Sequence, residues 1–120
     1  MNKIITRFPP EPNGHLHLGH LKAMMFDFEL HEDCECILRL DDTNPETEKQ
    51  EYVDSIIDDV NWLGFKPVKI TFTSDYFDQL YEFAIKLIEM GHAYIDFSPS
   101  DIIKDMRHKG LASEYRTKPV

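Results

Sequence analysis

Polar and apolar positions along the chain change period several times, and each change marks an element. Residues 3–8, Lys-Ile-Ile-Thr-Arg-Phe, read as a short buried strand. Pro9, Pro10, Pro12 and Gly14 then force a loop, because proline fixes φ and glycine permits unusual backbone. From Leu18 the pattern turns helical, with Leu21, Met24, Met25 and Phe28 at i, i+3, i+4 and i+7. Residues 34–40 form a second strand whose run Cys36, Ile37, Leu38 is apolar on both faces, as inside a parallel sheet.

Residues 41–44 are a turn. Asn44 followed by Pro45 is a helix-start signal, a side-chain cap and then proline at the first helical position. Val53, Ile56, Ile57, Val60 and Leu63 make the apolar stripe of that helix, and Gly64 ends it. Val68, Ile70 and Phe72 alternate with polar residues as a third strand. Ser74 is expected to cap a third helix with Phe77, Leu80, Tyr81, Ala84 and Ile88 inward and Gly91 as its stop. A fourth strand is predicted over 93–97, and a last amphipathic helix from Pro99 and Ser100 to near Gly110. The tail from Ser113 has no periodicity and is expected to fray. The order β-α-β-α-β-α-β-α predicts an α/β fold with a mostly parallel sheet. Trp62 and Phe65 read as core at a helix end, and Tyr76 and Phe77 as helix-start packing.

Composition bounds the function. Thirteen Lys and Arg face 22 Asp and Glu in 120 residues, a formal net charge of -9. That disfavours any polyanion binding that works by bulk charge. The charge is uneven: residues 101–120 hold five basic and three acidic side chains, a balance of +2, which leaves -11 on the first hundred. Glu46, Glu48, Glu51, Asp54, Asp58 and Asp59 read as a solvated face of the second helix. No stretch is apolar enough to span a bilayer, and the first residues resemble no secretory signal. Cys34 and Cys36 are too close in sequence for an easy bridge and lack zinc-site spacing, so they read as structural thiols in the reducing cytosol. The expected localisation is cytoplasmic, with no membrane partner and no protein-held metal.

The chemistry gathers in residues 7–20, where the first strand ends and the first helix begins. Ligands of parallel α/β folds bind outside the carboxyl ends of strands. A helix N-terminus there offers N–H groups and partial positive charge to phosphate. Gly14 and Gly19 remove side chains where a nucleotide could approach. His17 and His20 lie three apart on the first turn, so both imidazoles can face one phosphate and donate to charge developing there. Asp41, at the end of the second strand, can pair with a cation or serve as a turn residue. The dinucleotide fingerprint G-x-G-x-x-G is absent.

His17-Leu18-Gly19-His20 is similar to the His-Ile-Gly-His motif of class I aminoacyl-tRNA synthetases. Arg7-Phe8-Pro9-Pro10-Glu11 resembles the opening of their glutaminyl/glutamyl subclass. Further blocks resemble it in order: 39–45 (Arg-Leu-Asp-Asp-Thr-Asn-Pro), 62–65 (Trp-Leu-Gly-Phe), 73–78 (Thr-Ser-Asp-Tyr-Phe-Asp) and 91–96 (Gly-His-Ala-Tyr-Ile-Asp). Pro12-Asn13-Gly14 looks like the glutaminyl branch, with the glutamyl branch as the alternative.

The resemblance implies activation of an amino acid with ATP and Mg²⁺ and transfer to tRNA, with glutamine and glutamine tRNA as substrates, or glutamate and its tRNA. It places His17 and His20 on the ATP phosphates as catalytic groups, with no protein ligand assigned to Mg²⁺. Glu11, Pro12, Asn13, Gly14, Gly19, Leu21, Lys22 and Ala23 would line the ATP side, and Arg7 and Asp41 the amino-acid pocket. It implies the first half of a Rossmann-like nucleotide-binding fold over 1–97 and the start of a tRNA acceptor-binding insertion over 98–120. Leu18 replaces the usual Ile, and His15 a common Tyr. The family's second half, with its Lys-Met-Ser-Lys-Ser loop, has no counterpart here. Such a chain is expected to be a fragment that is weak or inactive alone, half of an enzyme completed by another polypeptide, or a non-catalytic nucleotide- or RNA-binding remnant.

Overall fold

A computed structural model describes residues 3–118. The described residues fall into two compact units, one ending at Phe77 and the other beginning at Asp78. This packing boundary lies ahead of the division expected after residue 97.

The first unit holds three parallel strands in the order β1 (Ile4–Phe8), β2 (Cys34–Leu40), β3 (Lys69–Phe72). Phe8 stands opposite Leu38, and Leu40 opposite Phe72. Side chains alternate across a strand, so this register puts Phe8, Cys36, Leu38 and Leu40 on one face. That face is buried against Met24 of α1 (Leu18–Glu29) and Val53, Ile56 and Val60 of α2 (Gln50–Trp62). Phe28 and Phe65 stack beside this core with ring centroids 4.8 Å apart. Apolar burial at roughly 25 cal/mol per Å² makes this cluster the main source of stability. The opposite face carries Ile5, Arg7, Glu35, Ile37, Arg39, Lys69 and Thr71, none of them fully buried.

The second unit contains α3 (Phe77–Glu89) from its second residue on and α4 (Ser100–His108), the latter running as expected from Pro99 to the turn at Gly110. No residue of α3 is buried, so its expected inward stripe is not realised among the described residues.

Several expectations are corrected. β1 is not a buried strand; of its residues only Phe8 is buried, because β1 is an edge of the sheet. Ile37, read as buried, is only half-buried. The helix announced at Asn44-Pro45 starts later. Asn44 instead closes one turn, its carbonyl accepting from the Thr47 and Glu48 N–H groups, and Lys49 stays extended before α2. Ser74 caps no helix directly but enters a 3₁₀ turn over Thr73–Tyr76. In that turn Tyr76 is half-buried, and Phe77, which follows it, is exposed.

Residues 93–97 form no strand. The N–H groups of His92 and Ala93 turn back onto the Leu87 carbonyl, and Asp96 accepts the Ser98 N–H at 2.9 Å, so the backbone is diverted from any ladder. The tail is ordered into a 3₁₀ turn over Glu114–Thr117 capped by Ser113, with Tyr115 edge-on to Phe97; the expectation for 119–120 lies outside the described residues.

Trp62 is the clearest reversal, being 84% exposed. At about 100° per residue it lies roughly 200° around α2 from Val60, away from the stripe that faces the sheet. The two environments predict opposite outcomes in denaturant titrations. Leu38→Ala, at a site with 0% exposure, costs about 2–5 kcal/mol of unfolding free energy. Trp62→Ala changes it by less than about 0.5 kcal/mol.

Candidate functional site

Parallel register brings the carboxyl ends of β1, β2 and β3 to one end of the sheet. The loop after β1 is tied to the loop after β2 by two backbone bonds, Asp41 N–H to the Pro10 carbonyl (2.9 Å) and Lys49 N–H to the Pro12 carbonyl (3.3 Å). Pro12 is fully buried and anchors the loop, while Glu11 and Asn13 stay exposed. A Cβ on Gly14 would meet nothing within 4 Å, so the loop leaves open space there. His15 reaches the second helix, with Nδ1 3.0 Å from Ser55 Oγ and its ring edge-on to Tyr52.

His17 is the N-cap of α1, in extended backbone. Its Nδ1 accepts the Gly19 N–H at 3.1 Å, and the His20 Nδ1 accepts the His17 N–H at 3.1 Å. This is a reciprocal capping box built from two imidazoles instead of a hydroxyl and a carboxamide. It has a chemical consequence. An Nδ1 that accepts a hydrogen bond carries no proton, so in this geometry the nitrogen left to donate in each ring is Nε2. Their centroids lie 4.0 Å apart. Burial first, and the neighbouring His17 second, hold the His20 imidazole below its ordinary value of 6.5, which favours the neutral form.

Gly19 earns its place differently from the expectation. A Cβ there would stand 2.9 Å from His17 Cε1 and 3.1 Å from Nδ1, so the missing side chain makes room for the cap. Leu21 is partly buried against the core; Lys22 and Ala23 are exposed on α1. Two Nε2–H groups, a helix N-terminus and the clear space at Gly14 suit a triphosphate chain. Among the described residues no three His, Cys, Asp or Glu side chains converge to hold a metal.

At the neighbouring strand end, Asp41 Oδ1 accepts from Thr73 Oγ1 (2.6 Å) and from Arg39 Nε (3.3 Å). Arg39 Nε also lies 3.1 Å from Thr73 Oγ1, closing a triangle. Thr73 is buried, with 4% exposure. Asp42 instead receives both the N–H and the hydroxyl of Ser74. Arg7 is exposed on the face that also bears Arg39, and among the described residues its guanidinium has no ion-pair partner. The roles of Arg39 and Thr73 escaped the sequence reading. The one available signal was their place in two blocks already singled out, 39–45 and 73–78.

A parallel sheet with a histidine-capped helix at its carboxyl end makes the first unit an α/β domain of the parallel, crossover-connected type. The chain belongs to the family described as tRNA synthetases class I (E and Q), catalytic domain, whose model matches residues 3–120. This is a family of enzymes, the aminoacyl-tRNA ligases. A Lupinus luteus protein named glutamine–tRNA ligase is 57% identical over 120 residues, which cover 98% of this chain and 15% of that protein. One of the same name from Vibrio campbellii (strain ATCC BAA-1116) is 49% identical over 122 residues, covering 96% and 22%. The chain thus spans less than a quarter of the relatives it matches. The fold is shared with a glutamate tRNA ligase from Elizabethkingia meningosepticum CCUG26117, with a TM-score of 0.77 at 22% identity, covering 93% of this chain and 25% of that one. No helix among the described residues is long and apolar enough to cross a membrane.

The His20 shift gives a pH dependence. A histidine whose folded pKa lies below its unfolded value binds protons more readily when unfolded. Stability is therefore full above about 6.5 and falls as pH drops from there toward the folded pKa. Thermal melts are expected to show a lower Tm at pH 5.5 than at 7.5. His20→Gln, which keeps a capping-box acceptor that does not titrate, flattens that difference. An equal drop in both proteins would refute the assignment.

Proposed function

We propose that this chain is the N-terminal nucleotide- and amino-acid-binding portion of a glutamine–tRNA ligase, acting in the ATP-dependent activation of glutamine for transfer to tRNA. The observation that carries the reading is the paired imidazole cap, which leaves two Nε2–H donors at the N-terminus of α1, in the first unit with the strand end bearing Asp41. ATP, when bound, would supply the adenylyl group that makes the amino-acid carboxyl reactive, with pyrophosphate leaving, and Mg²⁺ would enter with its phosphates. His17 and His20 donate to the phosphate oxygens as negative charge grows there. Gly14 and Asn13 border the nucleotide, Lys22 adds positive charge along α1, and Glu11 lies on the same loop. Pro12, Gly19, Leu21 and Ala23 act by shaping the loop and the first turn.

Arg7 and Asp41 face the amino acid, with Asp41 as the partner of its ammonium group. Glutamine is favoured over glutamate because relatives near 50% identity carry the glutamine name. Residues 1–97 belong to the nucleotide fold, and 98–120 begin the part that meets the tRNA acceptor end. The remaining substrate contacts fall to sequence that these relatives carry beyond the matched region, in the same polypeptide or a second one.

Binding measurements test the proposal without requiring turnover. ATP with Mg²⁺ is expected to shift the amide resonances of Gly14, Gly19 and His20. His17→Ala combined with His20→Ala should weaken ATP binding about a hundredfold, the loss of two hydrogen bonds to a charged group. Unchanged ATP affinity in the double variant would overturn the assignment. Tighter binding of glutamate than of glutamine in the presence of ATP would overturn the choice of amino acid.

A further inference from the structure

Two adjacent carboxylates end β2, and they are bonded in different ways. Asp42 has both oxygens occupied, Oδ1 by the Ser74 N–H and Oδ2 by the Ser74 hydroxyl. Asp41 has one occupied oxygen. Its Oδ1 accepts from Thr73 Oγ1 at 2.6 Å and Arg39 Nε at 3.3 Å, and among the described residues its Oδ2 accepts from nothing. The Asp41 side chain is 42% exposed, so that second oxygen is reachable from solvent.

The donors differ in kind from a surface ion pair. Thr73 is buried, and its hydroxyl is held between Arg39 and Asp41. A Thr side chain is stiff at χ1, so a buried one offers its hydroxyl in a fixed direction. Arg39 presents a rigid planar group rather than a swivelling ammonium. Both donors come from strand ends whose spacing is set by the pairing of Leu40 with Phe72. The carboxylate is therefore pinned by one oxygen on a rigid frame, and the other is presented outward at a fixed angle.

We infer that Arg39 and Thr73 are positioning residues that hold Asp41 by Oδ1 so that Oδ2 receives the ammonium group of the amino-acid substrate. Asp42, saturated by Ser74, fastens the β2 and β3 ends and takes no ligand. The inference rests on the reading of Asp41 as the ammonium partner and adds the device that aims it. A charge-assisted hydrogen bond is strong only when its geometry is kept, and a carboxylate free to rotate would lose that advantage.

The test uses this chain, isotope-labelled, with Thr73→Val, Thr73→Ser and Arg39→Gln variants. Three-bond Hα–Hβ couplings of Asp41 report its rotamer without any ligand. They should indicate one rotamer in the parent and Thr73→Ser, and averaging in Thr73→Val and Arg39→Gln. L-Glutamine affinity should fall about tenfold in Thr73→Val and recover in Thr73→Ser, the loss and return of one such bond. The affinity of the deaminated analogue, 5-amino-5-oxopentanoic acid, should not move, because it has no ammonium. Should Thr73→Val fail to fold, Arg39→Gln, altered at a half-buried side chain, carries the same comparison.

Unaltered couplings in both variants would overturn the clamp. Averaged couplings with unaltered glutamine affinity would overturn its role toward substrate. An equal loss for glutamine and its deaminated analogue would do the same. If Asp41→Asn leaves glutamine affinity unchanged, the ammonium assignment itself fails, whereas the couplings still decide whether Arg39 and Thr73 fix the rotamer.

Discussion

Burial of Leu38 and Leu40 beneath Met24 and Ile56 is the constraint on which the first unit rests. A parallel strand can hide these residues on one face only in one register, because a slip of one residue would send them to the other side. The register then settles the ends. Leu40 and Phe72 finish their strands opposite each other, Phe8 finishes opposite Leu38, and the chain turns at the same end of the sheet three times. Loops that leave one edge have little room to diverge. The bonds from Asp41 to Pro10 and from Lys49 to Pro12 record that crowding. The candidate site thus inherits its geometry from the core rather than from the loops' own preferences.

The histidine cap shows how a local structural need can prepare chemistry. A helix start has N–H groups that must find acceptors. Aspartate would supply them but leave no donor, and serine would leave only the short O–H on the accepting atom itself. Imidazole has two nitrogens, and spending Nδ1 on the cap leaves a proton on Nε2. Deleting an N-cap costs about 1 kcal/mol, so the arrangement stabilises the helix while preparing the donors. Protonation at Nδ1 would break the cap, which agrees with the lowered pKa of His20. Gly19 belongs to the same device, because any side chain there would press on the His17 ring.

What could be read in the sequence follows from how each feature is encoded. The helix at 18–29, the strand at 34–40 and the helix from Ser100 are written in local periodicity, and all three are present. The errors share a cause. At Asn44, Ser74 and 93–97 the local signal was real, but backbone or carboxylate partners took the groups on which it relied. Trp62 shows the limit of hydrophobicity without phase, since its place on the helix outweighs its size. The His17–His20 pair was legible because three residues on a first turn imply adjacency. Its tautomer was not, since that depends on which nitrogen each backbone N–H selects. The Arg39–Asp41–Thr73 triangle was invisible, because it spans 34 residues and exists only through the pairing of β2 with β3.

Charge gives the last link between chain and site. A balance of -9 argues against holding a triphosphate by bulk attraction. Fields from exposed charges are largely screened beyond about 8–10 Å, so the excess acid matters only where it stands close to the ligand. Some of these carboxylates are engaged locally: Asp54 accepts from Gln50, Glu51 pairs with Lys49, Glu48 receives the Asn44 N–H, and Asp42 is taken up by Ser74. In the proposed placement, the phosphates would meet imidazole N–H donors and a helix N-terminus, which need no net charge. Directed hydrogen bonds also distinguish an ordered triphosphate from any passing polyanion, as a basic surface does not. On the proposed reading, an acidic chain with directed donors at one helix start would trade general affinity for selective recognition of a nucleotide.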